Sequence, residues 1–411
     1  MSTLLDESGQ AKTETGWLNR RLDTADLGSL PIIIGLAGIW LVFWLANDKF
    51  LSPLNLTNLM LQIAALGTLA TGIFLALLLG EIDLSAGVVS GLCAAVMAVL
   101  NVKLGVPGPL AVLAGILVGT LIGLFQGTLI TRLHIPSFIV TLAGMIGWQG
   151  ALLWVLGSTG TLNLRDEFIT GIAGTFFREA LAGLIVGVVL VASYAAVLFL
   201  DRRRRLAAQL LASSAQRLLA RVVVLAAIVL VALLVFYADR GLPLAAVIFV
   251  GVVIAVDWLT KHTVYGRHIF AVGGHAESAR RAGIQVDRVR ISAFVLSSTI
   301  AALAGVLAAS RLLAVNQSSG GSDFLLNAIA ATVIGGTSLF GGRGSAWSAL
   351  LGALVIGSIS NGMDLLAFES SLKFMITAGV LLAAVTIDAV ARRRREEAGR
   401  RLVAWVKSGG R

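Results

Sequence analysis

Charged residues are scarce in this chain. They make up 13% of its 411 residues, against about 25% in an ordinary soluble domain, while hydrophobic residues make up 57%. This is more apolar material than a single globular core can hide, which excludes an ordinary soluble protein. The net charge of +10 does not indicate nucleic-acid binding, because the basic residues lie in short blocks between apolar segments.

Cysteine and catalytic motifs are also nearly absent. The one cysteine, Cys93, lies inside an apolar run, which excludes an intramolecular disulfide and a Cys-rich metal site. The chain has neither a His-Glu-x-x-His pattern nor a Gly-x-x-x-x-Gly-Lys-Ser/Thr loop, and its 4 histidines lie in or beside polar loops. We therefore predict no catalytic residue, no bound metal and no cofactor.

Long apolar stretches fill most of the chain. They follow a polar segment, residues 1–30, that lacks the apolar region of a cleaved signal peptide. Most match the ~20 residues that cross a bilayer core. The segments lie near 31–47, 58–79, 84–101, 108–130, 136–157, 180–200, 219–237, 242–258, 291–313, 325–340, 345–362 and 373–391.

These segments predict an all-α polytopic membrane protein with about 10–12 transmembrane helices. One transmembrane domain, residues 31–391, lies between a cytoplasmic tail, 1–30, and a basic cytoplasmic tail, 392–411. Within one apolar segment, glycines recur every four residues, a spacing that indicates close packing of helices in a membrane. These glycines are Gly115, Gly119, Gly123 and Gly127.

The distribution of basic residues predicts the orientation. With both termini in the cytoplasm, 25 of the 32 lysines and arginines fall in cytoplasmic segments, among them the loop 259–290. The arginine blocks at 201–206 and 391–397 follow apolar segments directly. Anchoring of the orientation is the favoured interpretation of these blocks, and binding to anionic membrane lipid is the alternative.

Two glycine-rich connections, 80–87 ("GEIDLSAG") and 335–346 ("GGTSLFGGRGSA"), are nearly as short as turns. Irregular backbone at membrane depth is tolerated only where protein buries it or where it lines a water-filled path. We therefore predict re-entrant loops or half-helices there, and a helix-breaking turn in the second connection. The candidate residues of a path or gate are Glu81, Asp83, Ser85, Gly335, Gly336 and Thr337.

Two interpretations of the acidic pair remain open. In the first, Glu81 and Asp83 lie at the membrane interface, and Asp83 or Ser85 caps the next helix. In the second, they face an aqueous path and contact a polyhydroxylated substrate, since a charge at membrane depth is costly unless it has a function. Capping and gate structure is the favoured interpretation.

A polar insert, residues 264–290, interrupts the apolar pattern. We expect a tight turn at the glycine pair 273–274, followed by a short helix with Glu277 in its first turn and Gly283 at its end. The last turn carries Arg280 and Arg281, which suit the helix dipole. The small residues of this helix fall on one face: Ala276, Ala279 and Gly283.

The composition of this short helix favours a role in docking to another protein. A membrane-surface helix would present Leu, Phe or Trp, and this one has only alanine and glycine on its small-residue face. We predict that this face enters a groove on a partner, with the arginines fixing its register. An ordinary solvated loop is the alternative.

Four motifs resemble a known family. They are "EIDLS" (81–85), "IPSFIVTLAGM" (135–145), "YGRHIFAVGGHAESARRAGI" (265–284) and "ATVIGGTSLFGGRGS" (331–345). Together, and in this order, they resemble the permease subunits of bacterial ABC importers for ribose, xylose, arabinose and galactose. Within this family, "IPSFIVTLAGM" and the segments "SRL" (310–312) and "NGM" (361–363) make the chain most similar to the xylose permeases.

The resemblance implies a non-enzymatic, multi-pass subunit in the bacterial inner (plasma) membrane that moves a monosaccharide, such as the pentose xylose, into the cytoplasm. Implied partners are a cytoplasmic ATP-binding subunit, which hydrolyses the ATP, a periplasmic sugar-binding protein and a second permease, either a second copy in a homodimer or a close relative in a heterodimer. The short helix would be the ATPase-coupling helix, formed by His275, Ala276, Glu277, Ala279, Arg280, Arg281 and Gly283. The family more often has asparagine where this chain has His275, so a changed turn contact is expected.

Two other functions remain as alternatives. A proton- or sodium-coupled secondary sugar transporter usually needs isolated carboxylates in the middle of its spans. Here Asp201, Asp239 and Asp388 lie at span ends. A membrane scaffold protein is the second alternative. The short docking helix and the end-placed carboxylates favour the importer.

Overall fold

The computed structural model describes residues 30–210 and 214–380, together with 382, 383 and 386. In this part of the chain, helices form nearly all of the regular structure. They are α1 (Leu30–Ala46), α2 (Pro53–Leu78), α3 (Ala86–Val102), α4 (Gly108–Arg132), α5 (Ser137–Leu156), α6 (Glu167–Gly174), α7 (Ala180–Ala207), α8 (Ala215–Tyr237), α9 (Leu244–His262), α10 (Val264–Gly274), α11 (Ala276–Arg281), α12 (Val286–Leu312), α13 (Ser322–Ile334) and α14 (Ala346–Leu365). Residues 370–380 are helical as well.

Local signals place several helix boundaries. The Ser52 hydroxyl accepts a hydrogen bond from the Asn55 N–H at 3.4 Å and caps α2, whose first residue is Pro53. The Ser345 hydroxyl caps α14 by accepting from the Trp347 N–H at 3.3 Å. These caps satisfy backbone donors that a helix start otherwise leaves unpaired.

The all-α polytopic architecture is confirmed. Each apolar segment from 31–47 to 345–362 contains a helix, although α13 ends at Ile334, inside the segment 325–340. The segment 373–391 lies only partly in the described residues. By length and composition, 8 of the described helices are able to cross a membrane, while α1, α3 and α13 are shorter apolar helices. With 13 residues, α13 measures about 20 Å, less than the ~30 Å hydrocarbon core.

The long helix α12 lies at the centre and packs against α2, α3 and α4. The glycine stripe of α4 allows this contact. A Cβ atom on Gly119 would lie 2.8 Å from the Ser298 carbonyl oxygen, and one on Gly127 would lie 3.0 Å from the Ile291 Cα. The predicted role of the stripe in close helix packing is therefore confirmed.

Helices α7 and α8 form a peripheral hairpin. Only 11% and 6% of their apolar windows are buried, and they pack mainly on each other. The Gly183 N–H donates to the Tyr237 hydroxyl at 3.0 Å within this hairpin.

Four short strands form two antiparallel pairs. Strand β1 (Thr161–Asn163) pairs with β4 (Ala314–Asn316), with Thr161 opposite Asn316. Strand β2 (Phe176–Phe177) pairs with β3 (Leu242–Pro243). All four lie in connections that the charge distribution places on the external side, so their pairing agrees with the predicted alternation of the helices.

Candidate functional site

Three segments that the sequence singled out meet in space. The Gly342 N–H donates to the Leu78 carbonyl oxygen at 2.9 Å, which joins the second glycine-rich connection to the end of α2. A Cβ atom on Gly341 would lie 2.7 Å from both the Gly273 carbonyl oxygen and the Gly80 nitrogen. We call these four residues, Gly80, Gly273, Gly341 and Gly342, the glycine junction.

Glycine is required in the junction for two reasons. Gly341 and Gly342 have φ angles of +82° and +71°, which side chains disfavour. At Gly273, the Leu78 carbonyl group occupies the space of a side chain. The prediction of a tight turn at residues 273–274 is wrong, because both residues belong to the last turn of α10. The absence of a side chain at Gly273 instead allows close backbone contact with Leu78.

An ion pair ties the first connection to α12. The Glu81 Oε1 atom lies 3.1 Å from the Arg290 Nε atom, and the two side chains are 13% and 29% exposed. Arg290 lies in the second turn of α12, a few residues after the short helix α11. The pair thus joins the loop that precedes α3 to the part of the chain that follows α11.

Asp83 is enclosed by protein, with 1% of its surface exposed. Its Oδ1 atom accepts from the Ser85 N–H at 2.9 Å and from the Ser85 hydroxyl at 2.7 Å. Its Oδ2 atom has no partner among the described residues. Burial raises the pKa of Asp83, and the hydrogen bonds from Ser85 partly oppose this shift.

Ser85 connects this turn to the bundle. Its hydroxyl also lies 2.9 Å from the Gln126 amide nitrogen on α4, and both residues are buried. Ser85 makes no side-chain cap to α3, so Asp83 is the residue that organises the turn before this helix. Asp83 and Ser85 lack an open surface in this structure, and both interpretations of the acidic pair stay predictions.

The second connection, residues 335–345, contains no helix, as predicted for a helix-breaking turn. Gly335 and Thr337 are buried, and Gly336 is exposed. The Thr337 N–H donates to the Thr332 carbonyl oxygen at 3.2 Å, while its hydroxyl has no partner among the described residues. The Ser338 N–H donates to the Arg343 carbonyl oxygen at 3.1 Å and closes the loop.

Helix α11 ends at the predicted glycine, whereas it begins at a cap and not at a glycine turn. His275 caps it, since its Nδ1 atom accepts from the Ser278 N–H at 3.1 Å. An asparagine side chain supplies the same kind of acceptor, so histidine replaces it here without loss of the cap. Gly283 ends the turn with a φ of +86°, and Glu277 and Arg281 occupy the first and last turns.

The predicted docking face of α11 needs correction. Ala279 is 5% exposed and packs against its own chain, where α11 contacts α12, and Ala276 is half-buried. The physical reason is that a helix of 6 residues has one apolar face, and its own bundle already buries it. Glu277, Arg280 and Arg281 are exposed instead. The predicted coupling role of α11 thus depends on its charged face.

Sequence reasoning missed two contributors to this site, Arg290 and Gln126. In the sequence, Arg290 stands out only as one of the cytoplasmic charges. Gln126 is a polar residue inside an otherwise apolar segment, and this is a signal for a buried partner. Within residues 30–210 and 214–380, no cluster of histidine, cysteine, aspartate or glutamate is able to hold a metal ion.

Comparison with known proteins identifies the kind of chain. The family model described as "Branched-chain amino acid transport system / permease component" matches residues 55–385. No solved structure matches the chain.

The curated relatives are named as permeases for sugars. The xylose transport system permease protein XylH of Escherichia coli K12 is 34% identical over 374 residues, covering 91% of this chain and 94% of the relative. The protein of the same name from Haemophilus influenzae is 33% identical over 369 residues, covering 90% and 98%. The ribose import permease protein RbsC of Bacillus subtilis is 31% identical over 357 residues, covering 86% and 91%.

Proposed function

Since the chain belongs to the family of branched-chain amino acid transport system permease components, we propose that it is the permease subunit of an ATP-driven importer for a monosaccharide, xylose. The observation that carries this proposal is the 34% identity to a xylose permease over 91% of the chain. The family description names amino acids, but the full-length relatives named above transport xylose or ribose by name.

The proposed assembly has three kinds of component: the permease, an ATP-binding subunit and a sugar-binding protein. An ATP-binding subunit binds the exposed charges of α11 in the cytoplasm, and a periplasmic sugar-binding protein contacts the opposite end, where β2 and β3 lie. A second copy of the permease completes a homodimer in the bacterial inner membrane. One transmembrane domain, residues 31–391, carries the cytoplasmic loop 259–290 and lies between cytoplasmic tails, 1–30 and 392–411.

The glycine junction supports a route for the motion. A displacement of α11 acts on α10, which ends at Gly274, and on α12, which begins at Val286. These helices contact both glycine-rich connections, through Gly273 and through the ion pair of Arg290 with Glu81. In this proposal, Glu81, Asp83, Ser85, Gly335, Gly336 and Thr337 form a gate that moves with α11.

A pull-down from gently solubilised native membranes tests the coupling. We expect an ATP-binding subunit to copurify with the wild-type chain and to be lost with Arg281→Glu. Arg132→Glu is the control, because Arg132 is an exposed arginine at the end of α4 that the charge distribution places on the same side. Copurification at equal levels in all three proteins would overturn the role of α11. No ATP-binding subunit with any of them would favour the ion-coupled transporter.

Uptake of radiolabelled sugar tests the substrate. We expect cells that contain the chain as their only pentose permease to take up radiolabelled xylose. Unlabelled leucine and ribose should each inhibit this uptake less than unlabelled xylose does. Depletion of ATP should abolish uptake, whereas a protonophore at constant ATP should leave it intact. Competition by leucine and not by ribose would overturn the sugar assignment.

A further inference from the structure

A polar loop lies beside the middle of α5. Residues 316–323, "NQSSGGSD", run from the end of β4 into the first turn of α13, and the Gln149 amide group donates to the Gln317 carbonyl oxygen at 3.0 Å. Gln149 lies seven residues before Leu156, so it is about 10 Å from the nearer end of the membrane-spanning helix. The loop therefore reaches into the depth of the membrane.

Contacts with α3 place the loop at the same depth. The Ser319 carbonyl oxygen occupies the space that a side chain on Gly91 would need. A Cβ atom on Gly87 would lie 2.8 Å from the Gly320 carbonyl oxygen. Gly87 and Gly91 belong to the first two turns of the apolar helix α3. The loop is thus irregular backbone packed among membrane helices.

This loop is open on one side. Gln317 and Ser318 are exposed and Gln149 is half-buried. On α5, a Cβ atom added to Gly147 or Gly150 would have nothing within 4 Å, so the surface beside Gln149 is unobstructed. The Gln317 side-chain amide makes no hydrogen bond to any described residue. Lipid does not suit this surface, because exposed irregular backbone is not tolerated in hydrocarbon.

We propose that Gln149, Gln317 and Ser318 line the water-filled path and contact the sugar as it passes. Amide groups both donate and accept hydrogen bonds, as do the hydroxyls of serine and of a sugar. Neutral groups of this kind exchange partners readily with sugar hydroxyls, which suits passage rather than tight binding. The identity of the sugar rests on the proposed function, whereas the position of the aqueous path does not.

This path surface differs from the gate residues that the sequence indicated. Asp83, Ser85 and Thr337 are enclosed, with at most 1% of each exposed. Gln149, seven residues inside the end of α5, and Gln317, which directly follows the external strand β4, instead present polar groups to an open surface that leads from the external side into the bundle. In this proposal, the enclosed residues form a gate at one end of the path, and Gln149 and Gln317 form a polar wall nearer the middle.

Cysteine accessibility tests the path. Ser318→Cys and Gln317→Cys are reacted in membranes with a charged, membrane-impermeant methanethiosulfonate. Val188→Cys is the control, because Val188 is 57% exposed on the peripheral helix α7. The native Cys93 is buried and supplies the background. We expect the two loop thiols to react at least about tenfold faster than the control, since a thiol needs water to ionise.

Protection by substrate tests the sugar contact. Xylose should slow the reaction of both loop thiols severalfold, while leucine at the same concentration should not. Ser318→Cys replaces a single atom, so unchanged thermal unfolding is expected and a folding defect cannot account for a negative result. Loop thiols as slow as Val188→Cys would overturn the path, and fast thiols without xylose protection would overturn the sugar contact.

This test separates the inference from the function on which it rests. Protected thiols without a copurifying ATP-binding subunit would leave the path intact and overturn the ATP-driven importer. Unreactive thiols in a chain that imports xylose would overturn only the path. As a second readout, Gln149→Leu should reduce xylose uptake about tenfold without reducing copurification of the ATP-binding subunit, since lost polar contacts weaken passage and not docking.

Discussion

Asp83 is the most deeply buried carboxyl group of the proposed gate, and only one of its oxygens accepts hydrogen bonds from described residues. Because burial raises its pKa in the folded state, the folded chain holds this proton more tightly than the unfolded chain does. The contribution of Asp83 to the free energy of unfolding is fully present at a pH below the pKa of Asp83 in the unfolded chain. It is lost as the pH rises through the pKa of Asp83 in the folded chain.

Asp83→Asn should remove this pH dependence. Asparagine keeps an oxygen that accepts from Ser85 but carries no charge to bury. We expect the melting temperature of the wild-type chain in detergent to fall from mildly acidic to mildly basic pH, and that of the variant to fall less. Parallel melting curves for the two proteins would show that Asp83 does not titrate in this range.

His275 supplies the cap of α11 through one ring nitrogen. His275→Ala should weaken this short helix by about 1 kcal/mol, since a lost cap leaves a backbone donor unpaired. His275→Asn is the matched control and should retain the cap. The measurement is the amount of ATP-binding subunit that copurifies, expected to fall only with alanine. Equal recovery with alanine and asparagine would contradict the role of the cap.

At the scale of elements, Gly273 and Gly274 form a matched pair in the last turn of α10. Gly273→Ala should destabilise the chain by about 1–3 kcal/mol, because the Leu78 carbonyl group occupies the space of the new methyl group. Gly274→Ala should have little effect, as nothing lies within 4 Å of that position. The two variants are compared by their thermal unfolding and by their xylose uptake. Equal effects of the two substitutions would contradict a close contact at the junction.

The ion pair of Glu81 and Arg290 links two elements that are far apart in sequence. Glu81→Arg and Arg290→Glu should each reduce xylose uptake severalfold, and the double variant should recover part of it. A coupling of about 0.5–3 kcal/mol is expected for residues in direct contact. Copurification of the ATP-binding subunit is the control readout and should stay constant. Additive losses would show that the pair does not transmit the motion.

The limits of sequence reasoning also appear at this scale. The ends of α11 were predictable, because Glu277, the arginines and Gly283 are local signals. The burial of Ala279 was not, since periodicity marks an apolar face without saying whether its own chain or a partner covers it. Contacts such as Gly273 with Leu78 depend on the packing of distant segments, and a single sequence carries no local signal for them. Likewise, the open surface at Gln317 becomes visible only once α3 and α5 are in place.

At the scale of the whole molecule, the alternation of the helices was predictable because each apolar segment is long and the basic residues are unevenly distributed. The structure adds that α3 and α13 are short and that α7 and α8 stand apart. Hydropathy alone cannot distinguish a central helix such as α12 from a peripheral one, because both are apolar throughout.

The orientation of the whole chain is testable with two exposed positions. Arg165→Cys should react with an impermeant thiol reagent in intact spheroplasts, and Ser278→Cys should react only after the membrane is opened. The positive-inside distribution is the reason for this expectation. The reverse pattern of labelling would invert the orientation and would place α11 away from any cytoplasmic subunit.

The glycine junction has a consequence for the thermodynamics of the transport cycle. Where three segments meet at glycines, the contacting residues have no apolar side chain of their own to expose when the segments separate. Changes in heat capacity follow the apolar surface that is exposed. Separation at the junction should therefore add little to the heat-capacity change of the proposed gate, so that its enthalpy changes little with temperature and a van 't Hoff plot of its two conformations is close to a straight line.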